Sequence, residues 1–435
     1  MRSKEHVGTE RSKADGPPNT PSGGKSIGAP ILETNLHHLT AIEFLAGGSL
    51  STNLSNEQMG RRHHLDESGR PVAMLVVGAR PNFVKMAPIV RALESAGRLE
   101  PCLVHTGQHY DANMSAIFFD ELELPRPKVN LEVGSASHAA QTGAVMVALE
   151  KLMREVRPAV VVTVGDVNST LAAALVAAKT GIPQAHVEAG LRSGDPTMPE
   201  ETNRVVTDRL ADLLFTHCEE ADDNLLLEGV PRERIQFVGN VMIDSLILLQ
   251  PRWQGSARRS LPDLPSSYGV VTLHRPGNVD DDVTLDRLMQ ALNEIAAKEP
   301  LIFPVHPRTR RRLSQQRYAN VQLIEPLGYF AFLDLVEHAR LVLTDSGGIQ
   351  EETTVLGVPC LTIRDNTERP VTVRLGTNRL VGTNPESIRA AALAVLDAAA
   401  PVAVRLPLWD GHAAERIALI LADWVSADRP LRLKR

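Results

Sequence analysis

The sequence predicts an α/β protein built from two doubly wound domains, each a parallel sheet with helices on both faces. Three observations carry this. The 435 residues exceed one ordinary core and fit two domains of common size plus extensions. From Val72 onward, short apolar runs alternate with stretches of helical periodicity. Those runs are near-continuous Val, Ile and Leu rather than alternating, as in strands buried on both faces.

The first series of strand-like runs is Val72–Val77, Leu103–His105, Ala159–Val164, Ile182–Val187, Leu213–Thr216 and Gln236–Val238. Helical periodicity fills the gaps, most clearly over Ala139–Val156 and Thr170–Lys179. A second series runs through Gly269–Leu273, Leu301–Val305, Val321–Ile324, Leu341–Thr344 and Pro359–Ile363. Two βαβ series in succession imply two domains. Their join is expected near Asp244 to Pro265, where Pro, Arg, Ser and Gly accumulate. A last helix is expected from about His412 to Val425. The division is then 71–243 for the first domain, 244–411 for the second and 412–435 for the terminal helix. Residues 1–70 read as a disordered extension. Met1–Lys25 is rich in Gly, Pro, Ser, Lys and Glu, Leu39–Leu50 is a short apolar patch, and Arg61-Arg-His-His64 is locally basic.

Composition narrows the function classes. A hydrophobic fraction of 43% and a charged fraction of 23% suit a soluble globular protein. The net charge of -6 leaves no general basic footprint, and 4% aromatics argue against stacking platforms, so nucleic acid is a poor partner. Cys102, Cys218 and Cys360 lie far apart with no CxxC pair or Cys/His cluster. That disfavours a disulfide framework or zinc site and fits a reducing compartment. No run of about 18 apolar residues predicts a membrane span, and no signal-peptide core is evident. The expected location is cytoplasmic.

The densest chemistry lies between His186 and Arg204. Glu188, Asp195, Glu200 and Glu201 stand there beside Arg192 and Arg204. Buried charges persist only if paired, hydrogen-bonded or used on a ligand. Alone, this segment divides evenly between a solvated loop and an active site. Polar residues recur at the carboxyl ends of other strands: Gly78-Ala-Arg80, Gly165-Asp166, His274-Arg275, His306-Pro307 and Asp345-Ser346-Gly347-Gly348. Ligands of open parallel sheets bind at those ends. Six such ends converge on one cleft if the domains face each other.

Ser346-Gly347-Gly348 sits between a strand and a helix expected over Ile349–Leu356. Two glycines let backbone approach an anion, and a helix N-terminus supplies free N–H donors. The segment reads as a pyrophosphate cradle or equally as a simple turn. It is neither a P-loop nor a GxGxxG nicotinamide site. Glu352 reads as a ribose ligand or as a glutamate favoured by the helix dipole. Arg80, Arg369 and His274 can supply contacts to phosphate. Lys85 is open between that role and an exposed helix lysine.

Eight motifs follow one another along the chain: Gly78-Ala-Arg-Pro-Asn-Phe-Val-Lys-Met-Ala-Pro88, Thr106-Gly-Gln-His-Tyr110, Gly165-Asp-Val-Asn-Ser-Thr170, His186-Val-Glu-Ala-Gly-Leu-Arg192, Met198-Pro-Glu-Glu-Thr-Asn-Arg204, Thr272-Leu-His-Arg-Pro276, Leu343-Thr-Asp-Ser-Gly-Gly-Ile-Gln-Glu-Glu352 and Arg364-Asp-Asn-Thr-Glu-Arg-Pro370. In this order they resemble one family, the non-hydrolysing UDP-N-acetylglucosamine 2-epimerases. The resemblance spans about Val72 to Val425. It implies two facing Rossmann-like domains of GT-B type, an active site in the cleft, and a C-terminal helix packed back on the first domain. It further implies a UDP-sugar substrate and a homodimer, with no metal or other cofactor. Ser346, Gly347, Gly348 and Arg80 would hold the pyrophosphate, Glu352 the ribose and Phe332 the uracil region. Lys85 would join the substrate contacts, with His274 and Arg369 near phosphates or sugar.

The family's reaction inverts C2 of the sugar by eliminating UDP to a glycal and adding it back. Asp166, Glu188 and Glu200 are expected to supply the acid–base work, assisted by His274 at the phosphate. Glu201 and Asp195 are expected to be structural. Departures from the family pattern are Asn82-Phe83, Leu327, and Pro-Gly after His274-Arg275. They leave open the exact sugar, including UDP-2,3-diacetamido sugars, and a GT-B glycosyltransferase remains the rival reading.

Overall fold

Among the described residues, thirteen strands form two parallel sheets in the computed structural model, which describes residues 69–108, 126–313, 317–399 and 403–427. The first sheet holds β1 (Val72–Val77), β2 (Glu100–His105), β3 (Val129–Asn130), β4 (Val160–Val164), β5 (Gln184–Val187), β6 (Leu213–Thr216) and β7 (Ile235–Phe237). Their spatial order is β3-β2-β1-β4-β5-β6-β7. The second holds β8 (Gly269–Thr272), β9 (Leu301–Pro304), β10 (Val321–Ile324), β11 (Val342–Thr344), β12 (Cys360–Thr362) and β13 (Asn378–Leu380), ordered β10-β9-β8-β11-β12-β13. Every strand pair is parallel.

The continuous apolar runs are explained by burial on both faces. In β1, Leu75 and Val77 face a core shared with helices Arg80–Ala96, Val241–Trp253 and Ala413–Ser426. Met74 and Val76 face the opposite core, with helices His138–Val156 and Asn168–Thr180. The second sheet repeats this, Val271 and Leu343 facing one side, Val270 and Val342 the other. The final helix buries Ala413, Ala414, Ile417, Ala418, Leu421 and Ala422, a stripe of helical spacing, and packs on Arg80–Ala96. Each fully buried aliphatic side chain is worth about 1.5–3 kcal/mol, so Ile417 and Leu421 anchor it. Its first turn is tied down by the Asp244 carboxylate, which accepts from Ala413 N (3.2 Å) and Ala414 N (2.6 Å).

The structure adds detail that the sequence expectation lacked. The expected join, Asp244 to Pro265, is largely helical, as Val241–Trp253 and Ser256–Ser260. Buried Ile243, Leu246, Leu249 and Trp253 supply a helical apolar stripe that outweighs the breaker Pro251, which falls in the last turn. Edge strands β3 and β13 were not expected; with two and three residues they are too short to show a period. The expected tail features, including Leu39–Leu50 and Arg61–His64, lie outside the described residues, as does His109.

Strand order reverses between β1 and β4 in one sheet and between β8 and β11 in the other. Loops leaving the carboxyl ends of such a pair diverge and leave a crevice. The loops at these two points carry Gly78–Arg80, Gly165–Asp166, His274–Arg275 and Asp345–Ser346.

Candidate active site

Glu188 is the first residue after β5 and takes a left-handed backbone, φ 67°. A non-glycine residue there costs on the order of 1–2 kcal/mol, and such outliers gather at working sites. The backbone turns the carboxylate under two cations. Lys85 Nζ, from the helix after β1, donates to Oε2. Arg369 Nη2, from the segment after β12, donates to Oε1 at 2.8 Å. Burial alone would raise the Glu188 pKa; Lys85 and Arg369 outweigh it and hold the carboxyl below its usual range. Gly165 makes room: a Cβ there would lie 3.3 Å from Glu188 Oε2 and 3.7 Å from Lys85 Nζ.

The Arg369 guanidinium is shared by three carboxylates. Besides Glu188, its Nε lies 3.0 Å from Glu351 Oε1 and its Nη1 3.0 Å from Glu368 Oε1. Glu351 also faces His217, with Nε2 3.1 Å from Oε1. All five groups, Arg369, Glu188, Glu351, Glu368 and His217, are buried. Burial opposes charge on Glu351, but Arg369 and His217 pull its pKa down to about 2. Burial likewise opposes charge on His217, but Cys218 and Glu351 push its pKa up to about 10.

Asp166, half-buried after β4, accepts from Arg204 Nη2 (2.7 Å) and Nε (3.0 Å). Arg204 also donates to Glu201 at 2.6 Å. Glu201 in turn accepts from the backbone N–H groups of Ser193 and Gly194, at 3.0 and 2.9 Å, fixing the loop after β5. Asp195 accepts from Thr197 N and Oγ1. Glu200 is half-buried in the first turn of helix Pro199–Leu210 and favours the charge on Arg275. The structure does not join it to the Glu188 cluster.

A second buried cluster lies inside the first sheet. Asp208 holds His186 Nδ1 (2.6 Å), Gly190 N (3.0 Å) and Arg192 Nη1 (2.8 Å). His186 Nε2 meets the Gly165 carbonyl at 2.8 Å. Arg192 also grips Glu228. Arg192 is therefore committed to an internal ion pair.

In the second sheet, buried Asp345 orders the loop after β8. It accepts from His274 N (3.1 Å), Arg275 N (3.0 Å) and Asn278 Nδ2 (3.0 Å), and the exposed His274 ring lies 2.8 Å away. Ser346 caps the helix Gly347–Leu356 by position, leaving first-turn N–H groups pointing outward. Gly347 approaches Arg369 closely: a Cβ would stand 2.5 Å from its Nη1. Gly348 adjoins Met242. Glu352 is buried, and burial together with Glu351 pushes its pKa up to about 8, against the Tyr329 hydroxyl and the Arg80 and Lys85 charges. Arg80 itself is exposed at the start of its helix. Phe332 is half-buried against an apolar cluster on one face of the second sheet.

Of the sequence candidates, Lys85, Glu188 and Arg369 meet directly, with Gly347 against Arg369. Asp166 joins them through Arg204, which stands 3.7 Å from Glu368. Sequence reasoning missed His217, Glu351 and Glu368. Glu351 adjoins the expected Glu352, but a helix turns adjacent residues about 100° apart, and only the fold shows which face each meets. His217 directly follows strand β6, whose polar end was the one signal available.

Metal-ligating residues also converge away from this network. Asp334, Glu337 and His338 bring ligand atoms within 4.8 Å of one another. Their carboxylates already accept from Gly255 N, Ala257 N, Gln250 and Trp253, which makes the group a helix-packing clamp. Among the described residues, no helix is long and apolar enough to cross a membrane.

A family model for UDP-N-acetylglucosamine 2-epimerase matches residues 91–422. The UDP-N-acetylglucosamine 2-epimerase of Methanocaldococcus jannaschii is 42% identical over 360 residues, 80% of this chain and 98% of its own. A crystal structure of that organism's UDP-GlcNAc 2-epimerase in complex with UDP-GlcNAc and UDP has a TM-score of 0.75, covering 81% of this chain and 99% of that one. The UDP-2,3-diacetamido-2,3-dideoxy-D-glucuronate 2-epimerase of Pseudomonas aeruginosa is 41% identical over 319 residues, 72% of this chain and 89% of its own. By family match, identity and fold alike, the chain belongs to the UDP-N-acetylglucosamine 2-epimerase family.

Proposed function

We propose that this protein is an isomerase that interconverts UDP-N-acetylglucosamine and UDP-N-acetylmannosamine by inversion at C2. The observation that carries the reading is Glu188: a buried carboxylate kept ionised by Lys85 and Arg369, beside a glycine-lined helix N-terminus. An ionised carboxylate in a dry site is a base, and a helix N-terminus with an arginine suits a pyrophosphate.

The C2 hydrogen is next to no carbonyl, so it leaves only with a leaving group. In the proposed route, a carboxylate removes the C2 proton as the C1–O bond to UDP breaks, giving a glycal and UDP. UDP then adds back at C1 while a proton arrives on the other face of C2. Asp166, Glu188 and Glu200 supply the proton transfers, and His274 assists at the phosphate. Ser346, Gly347, Gly348, Arg80 and Arg369 stabilise charge developing on the leaving pyrophosphate. Lys85 keeps Glu188 ionised while contributing to the substrate's field. Glu352 takes the ribose and Phe332 the uracil region. A closed cleft would keep glycal and UDP together and water out.

In this reading, residues 71–243 and 244–411 are the two domains, and residues 412–435 return to the first. The packing of Ala413–Ser426 on Arg80–Ala96 supports that return. Action as a cytoplasmic homodimer belongs to the same reading and rests on the family resemblance; three buried free cysteines agree with a reducing compartment.

A second substrate has specific support. The diacetamido relative matches this chain almost as well as the N-acetylglucosamine one, at 41% against 42% identity. Incubation with each UDP-sugar alone, followed by NMR of the products, separates these. Appearance of the manno epimer from UDP-N-acetylglucosamine supports the first reading. Turnover of only the diacetamido sugar moves the assignment to the second. No epimer from either, with transfer to an added acceptor, points to a glycosyltransferase.

A further inference from the structure

We propose that His217 is a positioning residue for Glu188, acting through Glu351 and Arg369. This rests on the reading that Glu188 moves the C2 proton.

The imidazole is held in one place. Its backbone carbonyl accepts from Trp409 Nε1 at 2.7 Å, and its ring stacks on the Trp409 indole with centroids 5.9 Å apart and planes 20° apart. Trp409 belongs to the segment leading into the final helix, so that segment braces the site from behind. From this seat His217 Nε2 lies 3.1 Å from Glu351 Oε1. The same oxygen lies 3.0 Å from Arg369 Nε. Glu351 is thus a carboxylate between two cations.

A guanidinium is a rigid planar fork. With Nε set by Glu351 and Nη1 by Glu368, the direction of Nη2 follows, and it points at Glu188 Oε1 at 2.8 Å. Without charge on His217, Glu351 would have Arg369 as its main counter-charge and draw the fork toward itself. Glu188 would then lose part of the field that keeps it ionised.

The contact is Coulombic more than a hydrogen bond. Neither ring nitrogen of His217, neither oxygen of Glu351 and not Nε of Arg369 has a hydrogen bond of good geometry within the protein. A group that served only packing would not need a charge here. The other charged or titratable groups around His217 are Cys218, Glu219 and Glu220 on its own segment and Arg374 from helix Pro370–Arg374. Arg374 is paired with Glu220 at 2.6 Å, so that pair nearly cancels.

The test uses His217→Gln and Glu351→Gln in the full chain, with kcat, KM and the pH profile of kcat/KM followed by product NMR. Both variants should lower kcat by about tenfold to a hundredfold, the scale of a misplaced reacting group, with KM within about twofold. The acidic limb separates a field effect from a packing effect. His217 lowers the Glu188 pKa and Glu351 raises it, so the limb should move up in His217→Gln and down in Glu351→Gln. The two variants act on successive links of the relay, so either one alone reads it if the other does not fold. An active wild type with unchanged kcat and limb in the variants, or limbs moving the same way, overturns the proposal alone. A wild type that leaves C2 untouched in every UDP-sugar removes the functional reading and the proposal with it.

Discussion

Two buried clusters in this molecule share one composition and differ in how completely they are satisfied. Asp208, His186 and Arg192 form one; Glu351, His217 and Arg369 form the other. In the first, each carboxylate oxygen and both ring nitrogens have hydrogen bonds between 2.6 and 3.0 Å, all among β5, the loops after β4 and β5, and helix Pro199–Leu210. In the second, ion-pair distances are short but hydrogen-bond geometry is poor, and the partners come from both sheets. Buried polar groups are normally satisfied, and exceptions mark places where stability has been given up for another purpose. The Asp208 cluster is architecture. The Glu351 cluster keeps its electrostatic field available to Glu188.

The comparison is broken first by its largest expected contrast. Glu188→Gln, nearly isosteric, should cut turnover of the folded protein by about 10²–10⁴-fold, the range of a lost acid–base group. Equal turnover would end the assignment. The reverse pattern belongs to Asp208→Asn. Leaving buried His186 without its carboxylate, and Arg192 with Glu228 alone, should cost about 3–5 kcal/mol in urea unfolding, with kcat of the folded protein changed by less than about tenfold.

Acid sharpens the contrast further. Asp208 and Glu351 are both held below their unfolded values, against the cost of burial, by neighbouring cations. The stability they confer is complete above about pH 4.5 and drains as pH falls through the folded values, which for Glu351 is about 2. Unfolding followed from pH 5 to 2 should show a loss of roughly 3 kcal/mol from Glu351 alone, by the free energy of one pKa unit. Glu351→Gln should flatten that slope. The smallest effect concerns Gly347→Ala. The added Cβ collides with the flexible end of Arg369, so UDP affinity measured by calorimetry should fall about tenfold, near 1.4 kcal/mol.

The fold was legible because burial on both faces leaves a plain mark: eleven of the thirteen described strands are apolar runs visible in the chain. The two short edge strands and the helical join are not, since the first pair has no period and Pro251 masks the second. At the site, Lys85 and Glu188 could be named from motifs but not paired, because 103 residues separate them. His217 carries no motif, and its role depends on Trp409, which lies 192 residues further along. Gln108, in the Thr106–Tyr110 motif, is buried and accepts from Ser169 N and Oγ. Such partnerships are set by topology, which a linear pattern does not encode.

The most direct measurement is C2 deuterium wash-in from D2O with UDP-sugar alone, run on wild type, Glu188→Gln and Asp208→Asn. The account predicts deuterium at C2 of both epimers with wild type and with folded Asp208→Asn, and next to none with Glu188→Gln. Wash-in that survives in Glu188→Gln, or wild-type protein that leaves C2 protonated, would contradict it.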